Sequence, residues 1–416
     1  VTPPNDPRPR DGQAAPAARE RIAGVDAARA LAVFGMLTVH LGVGSLGLAG
    51  LLGQEAADTF HGLTRGRSSA LFAFLAGLSL ALMTGRTRPL PGPDLRRPMA
   101  RILVRAIVLA LLGMFLDLLD APVAVILAYY AGFFVLALPL LRLGPVALAC
   151  TAAAIAVAGP QASFALRSAM GGTGFRENSI GGITDLLLTG YYPAFTFMAF
   201  VAAGMAVGRM DLAATRVRIG MACTGAGLAL LGYGGSWLLL YPLGGVDRLA
   251  SDVAASTWGT SGLDTAALEP MRDWVVEEMG NMHGQVPTDS PVWLLIASPH
   301  SGTSYEAIGA IGTSLLVLTA CLFAAERARA LLYPLSAAGA MALTVYAGHI
   351  VVMAIGDMSF EDVAPFRWEA FVGTALVACT AWKLLLGRGP LERALGWLGD
   401  RGADLVPDRI GQVRQL

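Results

Sequence analysis

The sequence predicts an all-α fold: a polytopic transmembrane helix bundle of about ten spans, with both termini on the cytoplasmic side. Three observations lead there. Of 416 residues, 55% are hydrophobic and only 14% charged, and the mean hydropathy of +0.59 is too high for a soluble chain of ordinary composition. The apolar residues gather in runs of roughly the 20 residues that cross a bilayer. The arginines fall on alternate connections, as short cytoplasmic loops require.

In chain order the apolar runs lie near residues 26–48, 66–85, 102–119, 122–141, 144–160, 191–208, 219–240, 305–325, 336–356 and 369–387. Runs 144–160 and 191–208 are the weakest, and LRLGPV makes a narrow turn before the first of them. With the N-terminus inside, cytoplasmic segments receive Arg86, Arg88, Arg96, Arg97 and Arg101, then Arg142, Arg209, Arg216 and Arg218, Arg327 and Arg329, and Arg388 and Arg393. An even number of spans returns the C-terminus to the same side. The domain reading is a disordered cytoplasmic tail over 1–20, rich in Pro, Ala and Arg without a signal-peptide h-region, a transmembrane domain over 21–390, and a cytoplasmic C-terminal tail over 391–416. Residues 241–304 form an extracytoplasmic loop region. Its Trp258, Trp274 and Trp293 with Asp252, Asp264, Asp273 and Asp289 would suit sugar stacking, but read first as a solvated loop with an interfacial amphipathic helix at LEPMRDWVVEEM.

A net charge of zero gives no reason to expect nucleic acid among the partners; membrane lipids are the expected surroundings, at the plasma membrane. Cys150, Cys223, Cys321 and Cys379 sit in apolar segments at irregular spacing and read as small core residues. No HExxH or HxxxH occurs, so no metal is expected.

The opening helix, RIAGVDAARALAVFGMLTVHLG, carries ionisable groups into apolar surroundings. At 100° and 1.5 Å per residue, Arg29 and His40 lie within roughly 20° of one face and about 16 Å apart, with Asp26 one turn before Arg29. Such groups are costly in a bilayer and mark a bundle interior or a watery path. Arg65 and Arg67 run against the positive-inside rule at the outer start of the next helix, and with His61 and Ser68 make a compact polar cluster. His300, in SPHSGTSYE, lies before a span with Ser301, Thr303, Ser304 and Glu306 around it. His349, inside the ninth run, reads as a histidine paired with a polar neighbour. His283 is assigned no role.

The pattern R-I-x-x-[VI]-D-x-x-R, followed by an apolar helix with a polar residue near its far end, resembles the opening of the heparan-α-glucosaminide N-acetyltransferase catalytic-domain family and its bacterial relatives. Arg29 and His40, ten residues between them, match the R-x10-H arrangement of acyltransferase family 3, part of the same broad superfamily. TFHGLTRGRSSALFAFLAGLSLAL at 59–82 is similar to the family's W-x-G-L-x-x-x-D-x-x-F-x-x-F-x-F-x-x-G block. The stretches YPAFTFMAFVAAGMAVGRMDL at 192–212 and LSAAGAMALTVYAGHIVVMA at 335–354 resemble its later helices. There are departures. Phe60 stands for the Trp, His61 for an Asn before the Gly, and RGRSS for the acidic residue; the lysosomal member has asparagine near the position of His40 and its histidine in the following loop, roughly at Ala57 here.

The resemblance implies transfer of an acyl group, acetyl in the first instance, from cytoplasmic acetyl-CoA or another acyl-CoA to a hydroxyl or amine of an extracytoplasmic glycan or glycolipid of the cell envelope. On that reading Asp26 and Arg29 form the donor site, Arg29 holding a phosphate while Asp26 pairs with its guanidinium, and His40 is the first candidate for general base or acyl carrier and His61 the second. Arg65, Arg67, Ser68 and His300 serve the acceptor. A homo-oligomer is allowed but not specified. A secondary transporter or lipid flippase would also line a path with charge, and would call for inverted repeats and midplane acids; the sequence offers neither.

Overall fold

The computed structural model describes residues 22–42, 47–171, 181–259, 265–358 and 364–406. The expected tail over 1–20, residues 172–180, and Asp264 lie outside them. The described residues are helical, without strands. In order the helices are α1 (Ala23–Leu41), α2 (Leu48–Leu52), α3 (Gln54–Thr64), α4 (Arg67–Met83), α5 (Arg96–Asp117), α6 (Leu127–Leu136), α7 (Pro145–Ala169), α8 (Ala194–Gly208), α9 (Thr215–Ala229), α10 (Gly235–Leu240), α11 (Gly245–Trp258), α12 (Thr265–Gly280), α13 (Ser304–Arg327), α14 (Tyr333–Ala340), α15 (Ala342–Ile355), α16 (Arg367–Leu385) and α17 (Pro390–Asp404).

Six helical stretches are long and apolar enough to cross a membrane, or up to eight if each of two bent pairs is one span. The pairs are α14 with α15, bent by 75°, and α16 with α17, bent by 52°. Two of the ten expected runs give short helices. Run 122–141 becomes α6 and a 3-10 turn at Leu138–Arg142, and run 191–208 starts only at Ala194, because Tyr191–Pro193 is non-helical. The run expected to be short, 144–160, is the 25-residue α7. Part of the expected C-terminal tail is α17, which packs on α5 and ties to it through Arg101 and Asp400 at 2.9 Å.

Helix α1 runs through the centre, with most of its residues buried. Small residues let its neighbours approach to backbone contact, the usual mode of close packing between apolar helices. Gly24 lies against Leu322 of α13, Gly35 against Ser68 of α4, and Gly339 of α14 against the Asp26 carbonyl, so a Cβ at any of them would collide. Helices α4 and α8 meet likewise through Gly77 and Gly204. A second, smaller core lies under α11 and α12, built on Val246, Leu249, Met271, Val275 and Met279. Trp293 is fully buried in it with its indole N–H on Asp289 at 2.8 Å, so this tryptophan has no face for a sugar. Trp274 on α12 is exposed.

A buried guanidinium joins helix ends. Arg209, at the end of α8, donates to the carbonyls of Ala81, Thr84, Arg86 and Leu141 at 2.7–3.1 Å and to the Thr84 hydroxyl at 3.0 Å. It thereby satisfies carbonyls that the end of α4 leaves over. Arg209→Met should cost about 2–3 kcal/mol by stranding these acceptors, and Arg209→Lys should recover only part, since an ammonium cannot fork across them. Thermal unfolding in one detergent should order parent above Lys above Met; equal midpoints would show that the carbonyls have other donors.

Candidate active site

The polar groups of α1 lie at its two ends. At the first, Arg29 donates to Asp26 at 2.7 Å and to the Ser79 hydroxyl of α4 at 2.8 Å. Arg105 of α5 stands within electrostatic reach of Arg29, Arg101, Arg388 and Asp400. Its Nη1 meets the Met83 sulfur at 3.0 Å, while its buried Nε has no hydrogen bond among the described residues. Four arginines against two carboxylates, Asp26 and Asp400, leave a positive basin. Nothing in the sequence marks Arg105 and Arg388 as part of this basin: one lies on α5, the other in the bend between α16 and α17, and no spacing connects them.

The other end of α1 is fixed by backbone chemistry. Arg367 of α16 donates to the Leu41 carbonyl from Nε at 2.8 Å and from Nη2, placing a cation at the C-terminal end of the helix dipole. Gly42 ends the helix at φ 69°, and the Trp368 indole bonds Thr38 at 3.0 Å. These contacts stop α1 seven residues before the end of the apolar run and hold the turn that carries His40.

His40 Nδ1 lies 2.9 Å from Nε2 of His349 on α15, with the rings stacked at 5.2 Å. His349 is buried, its ring edge against Tyr346. Its Nδ1 makes no regular hydrogen bond among the described residues; the carbonyls it can reach are those of Val345 and Tyr346, one turn back. Carbonyls only accept, so these surroundings favour the proton on His349 Nδ1. His349 Nε2 is then the acceptor and His40 Nδ1–H the donor, which leaves His40 Nε2 with a free lone pair. The tautomers are assigned from this network.

A third histidine borders the pair. His300 lies close enough for its charge to act on His40, and its ring meets the edges of Tyr191 at 5.1 Å and Tyr192 at 5.9 Å. Its loop is tied down by one carboxylate. Glu306, in the first turn of α13, accepts from the His300 N–H and the Gly302 N–H, each at 2.6 Å, and from the Ser301 hydroxyl at 3.2 Å. Thr303 caps the helix by accepting from the Glu306 N–H at 3.2 Å. The segment Thr-Ser-Tyr-Glu is thus a capping-box pattern, the sequence signal for this turn. The lock holds His300 at φ 60°, a left-handed conformation that a non-glycine residue keeps only under constraint. The buried His300 Nδ1 has no partner among the described residues.

The remaining sequence candidates separate. Arg65, partly buried, is an electrostatic neighbour of His300 and Tyr191, and its guanidinium has no hydrogen bond or ion pair among the described residues. Gly66 beside it packs on Pro299. Arg67 is engaged by the Tyr233 hydroxyl at 3.0 Å and the Gly62 carbonyl at 3.0 Å. Ser68 donates back to the Thr64 carbonyl at the end of α3, 2.8 Å away. His61 sits half-buried on α3 with Arg65 and Asp58 as its electrostatic neighbours. The structure therefore gathers His40, His349, His300 and Arg65 at one end of α1. Among the described residues no group of three or more His, Cys, Asp or Glu side chains is arranged to hold a metal ion.

A basic basin and a histidine pair at opposite ends of one central helix meet a family match over residues 21–243, to the model described as heparan-alpha-glucosaminide N-acetyltransferase, catalytic. The chain belongs to the heparan-alpha-glucosaminide N-acetyltransferase catalytic family. The match takes in Arg29, His40 and Arg65, and ends before His300 and His349. Neither a curated protein nor a solved structure matches the chain. The family is one of membrane N-acetyltransferases, and the apolar helices make this member a multi-pass membrane protein.

Burial pushes the His300 imidazole from its ordinary 6.5 down to about 3, with the nearby Arg65 and then His283 adding to the effect. The folded chain keeps it neutral while the unfolded chain protonates it below pH 6.5. Stability due to this group is therefore complete above pH 6.5 and is lost as pH falls towards the folded value. Between pH 6.5 and about 4, thermal midpoints of the parent should fall more steeply than those of His300→Gln. Coincident slopes would show that His300 is not held neutral.

Proposed function

We propose that this chain is an integral membrane acyltransferase that moves an acyl group, acetyl in the first instance, from cytoplasmic acyl-CoA to a hydroxyl or amine of an extracytoplasmic glycan or glycolipid. The observation that carries this is the hydrogen-bonded His40–His349 pair, eleven residues along α1 from Arg29. The arginine distribution supports an N-in, C-in orientation, and counting each bent pair once together with α6 and α8 gives ten spans. The arginine basin then faces the cytoplasm and the histidines lie in the outer half.

Donor phosphates suit the basin because guanidinium groups bind them by charge and by forked hydrogen bonds. At the far end His40 Nε2 takes the acceptor's proton as its oxygen or nitrogen bonds to the thioester carbonyl carbon. The imidazolium that forms is steadied by His349 Nε2, as the third group orients the base in other nucleophile–base pairs. When the carbon–sulfur bond breaks, the proton passes to the departing thiolate. Transfer through an acyl-imidazole would use the same Nε2. Arg65 and the free His300 Nδ1 are placed to meet the acceptor or the developing oxyanion.

A secondary transporter would share the break between α14 and α15. Here that break is filled by Glu392 of α17, which accepts from Thr344 N–H at 3.0 Å and from its hydroxyl at 2.6 Å. A filled break argues for a fixed α15 and against an ion-coordinating site.

Labelled acetyl-CoA and a glucosaminide acceptor in membranes test the reaction itself. Removing the Arg29 charge should weaken acyl-CoA binding about 10- to 100-fold, with Arg29→Lys restoring only part. His40→Ala should bind donor nearly as the parent does and lose turnover by about 10²–10⁴. Isothermal titration and transfer assays in one detergent read both; a folded His40→Ala protein turning over near the parent rate would move the base to another histidine, His61 first. The orientation has its own test. In a background without the exposed Cys150 and Cys223, Thr87→Cys and Ser251→Cys should label from opposite sides with an impermeant thiol reagent, and labelling from one side would overturn it.

A further inference from the structure

A groove of about 510 Å³ runs along the outside of α7 between α6 and α8. Leu140, Ile155, Leu187, Phe195 and Met198 form its walls. The one hydroxyl among its lining residues, Thr151, is spent on the Ala147 carbonyl at 2.8 Å. Its α7 wall extends from Thr151 to Ala162, about 16 Å of helix, and Ala154 and Ala158 on it are exposed. The shape is long, apolar and open sideways, as a hydrocarbon chain requires. The groove also adjoins a segment that touches the site. Leu187 and Ala194, at its end, flank the Gly190–Pro193 segment, in which Tyr191 and Tyr192 bear on His300.

We infer that the acceptor is a lipid-linked sugar, whose hydrocarbon chain lies in the α6–α7–α8 groove while its polar head meets His300 and Arg65. The inference rests on the acyltransferase reading and names its acceptor class. A soluble oligosaccharide would need the polar end alone. An acceptor drawn from the bilayer arrives sideways, which fits a wall of exposed alanines beside a segment that carries two tyrosines. The volume falls in the range of about 300–1,000 Å³ common for ligand sites.

Two acceptors with one head, methyl glucosaminide and hexadecyl glucosaminide, separate the cases. The parent should favour the long chain by tenfold or more in kcat/KM. Ala158→Trp, and Ala154→Phe one turn earlier as a second variant, should fill the groove and cut that preference at least fivefold. Partition into micelles is the same for parent and variants, so a preference that survives both substitutions overturns the inference, as does equal use of both acceptors by the parent. Binding is read separately: hexadecyl glucosaminide should raise the parent's thermal midpoint and not that of either variant. Such a shift without acyl transfer would keep the groove assignment and remove the catalytic reading. A shift of equal size in parent and variants would mean that ordinary lipid-like association occurs elsewhere, and the inference would fall.

Discussion

Backbone-to-backbone contact around α1 is the constraint on which the rest of the molecule depends. Gly24 and Gly339 bring the backbones of α13 and α14 directly against α1, and Gly35 leaves room on it for the Ser68 side chain of α4. In a membrane the apolar effect gives little reason for helices to associate, so close packing and polar contacts must do it. Once α1 is held on three sides, the rotation of its stripe is fixed. Arg29 turns to Ser79 of α4 and His40 to His349 of α15. A Cβ on any of the three glycines would push a neighbour away and loosen the geometry of both ends together.

The polar groups inside this packing fall into two kinds. Some replace water at helix ends: Arg209 beneath α4, Arg367 at the end of α1, Glu306 beneath the His300 loop, Glu392 at the break before α15. Each is committed to backbone groups, which explains why a charge is tolerated there. Others are buried without a hydrogen bond among the described residues, notably Arg105 Nε and His300 Nδ1. These lie around the two ends of α1, and buried polar atoms left over in this way are expected where a ligand completes them.

The helical period was enough to place Asp26, Arg29 and His40 on one stripe, because three residues on one straight helix need no tertiary information. The pairing of His40 was not legible in that way. His349 stands 309 positions further on in an apolar run, and the sequence could say only that such a histidine needs a polar neighbour. The end of α1 was misplaced for a related reason. Hydropathy continues past Leu41, but the stop is made by Arg367 from α16 and by the positive φ of Gly42. The lengths of α6 and α8 escaped likewise, since apolar residues in the flanking turns look the same as those in a helix. The Glu306 lock had a local signal in its capping-box spacing; its effect on His300 depends on a loop that folds back three residues before the cap.

The family match ends at residue 243, whereas the groups that orient the histidine site come from further on. His349 supplies the acceptor for His40 Nδ1–H, and the Glu306 lock presents His300. On the reading proposed here, this division has a chemical consequence. The histidine pair is bordered by Tyr346, and His300 beside it by Tyr191 and Tyr192. Transfer of an acyl group removes one proton from the acceptor and returns one to the departing thiolate. A base that keeps the proton between those two events needs no channel to solvent. His40 can do this because its Nδ1–H is already committed to His349, which leaves Nε2 as the position where the proton is taken up and given back. The pair thus meets the requirement of the reaction through hydrogen bonding alone, and the charge at the other end of α1 is left to hold the donor.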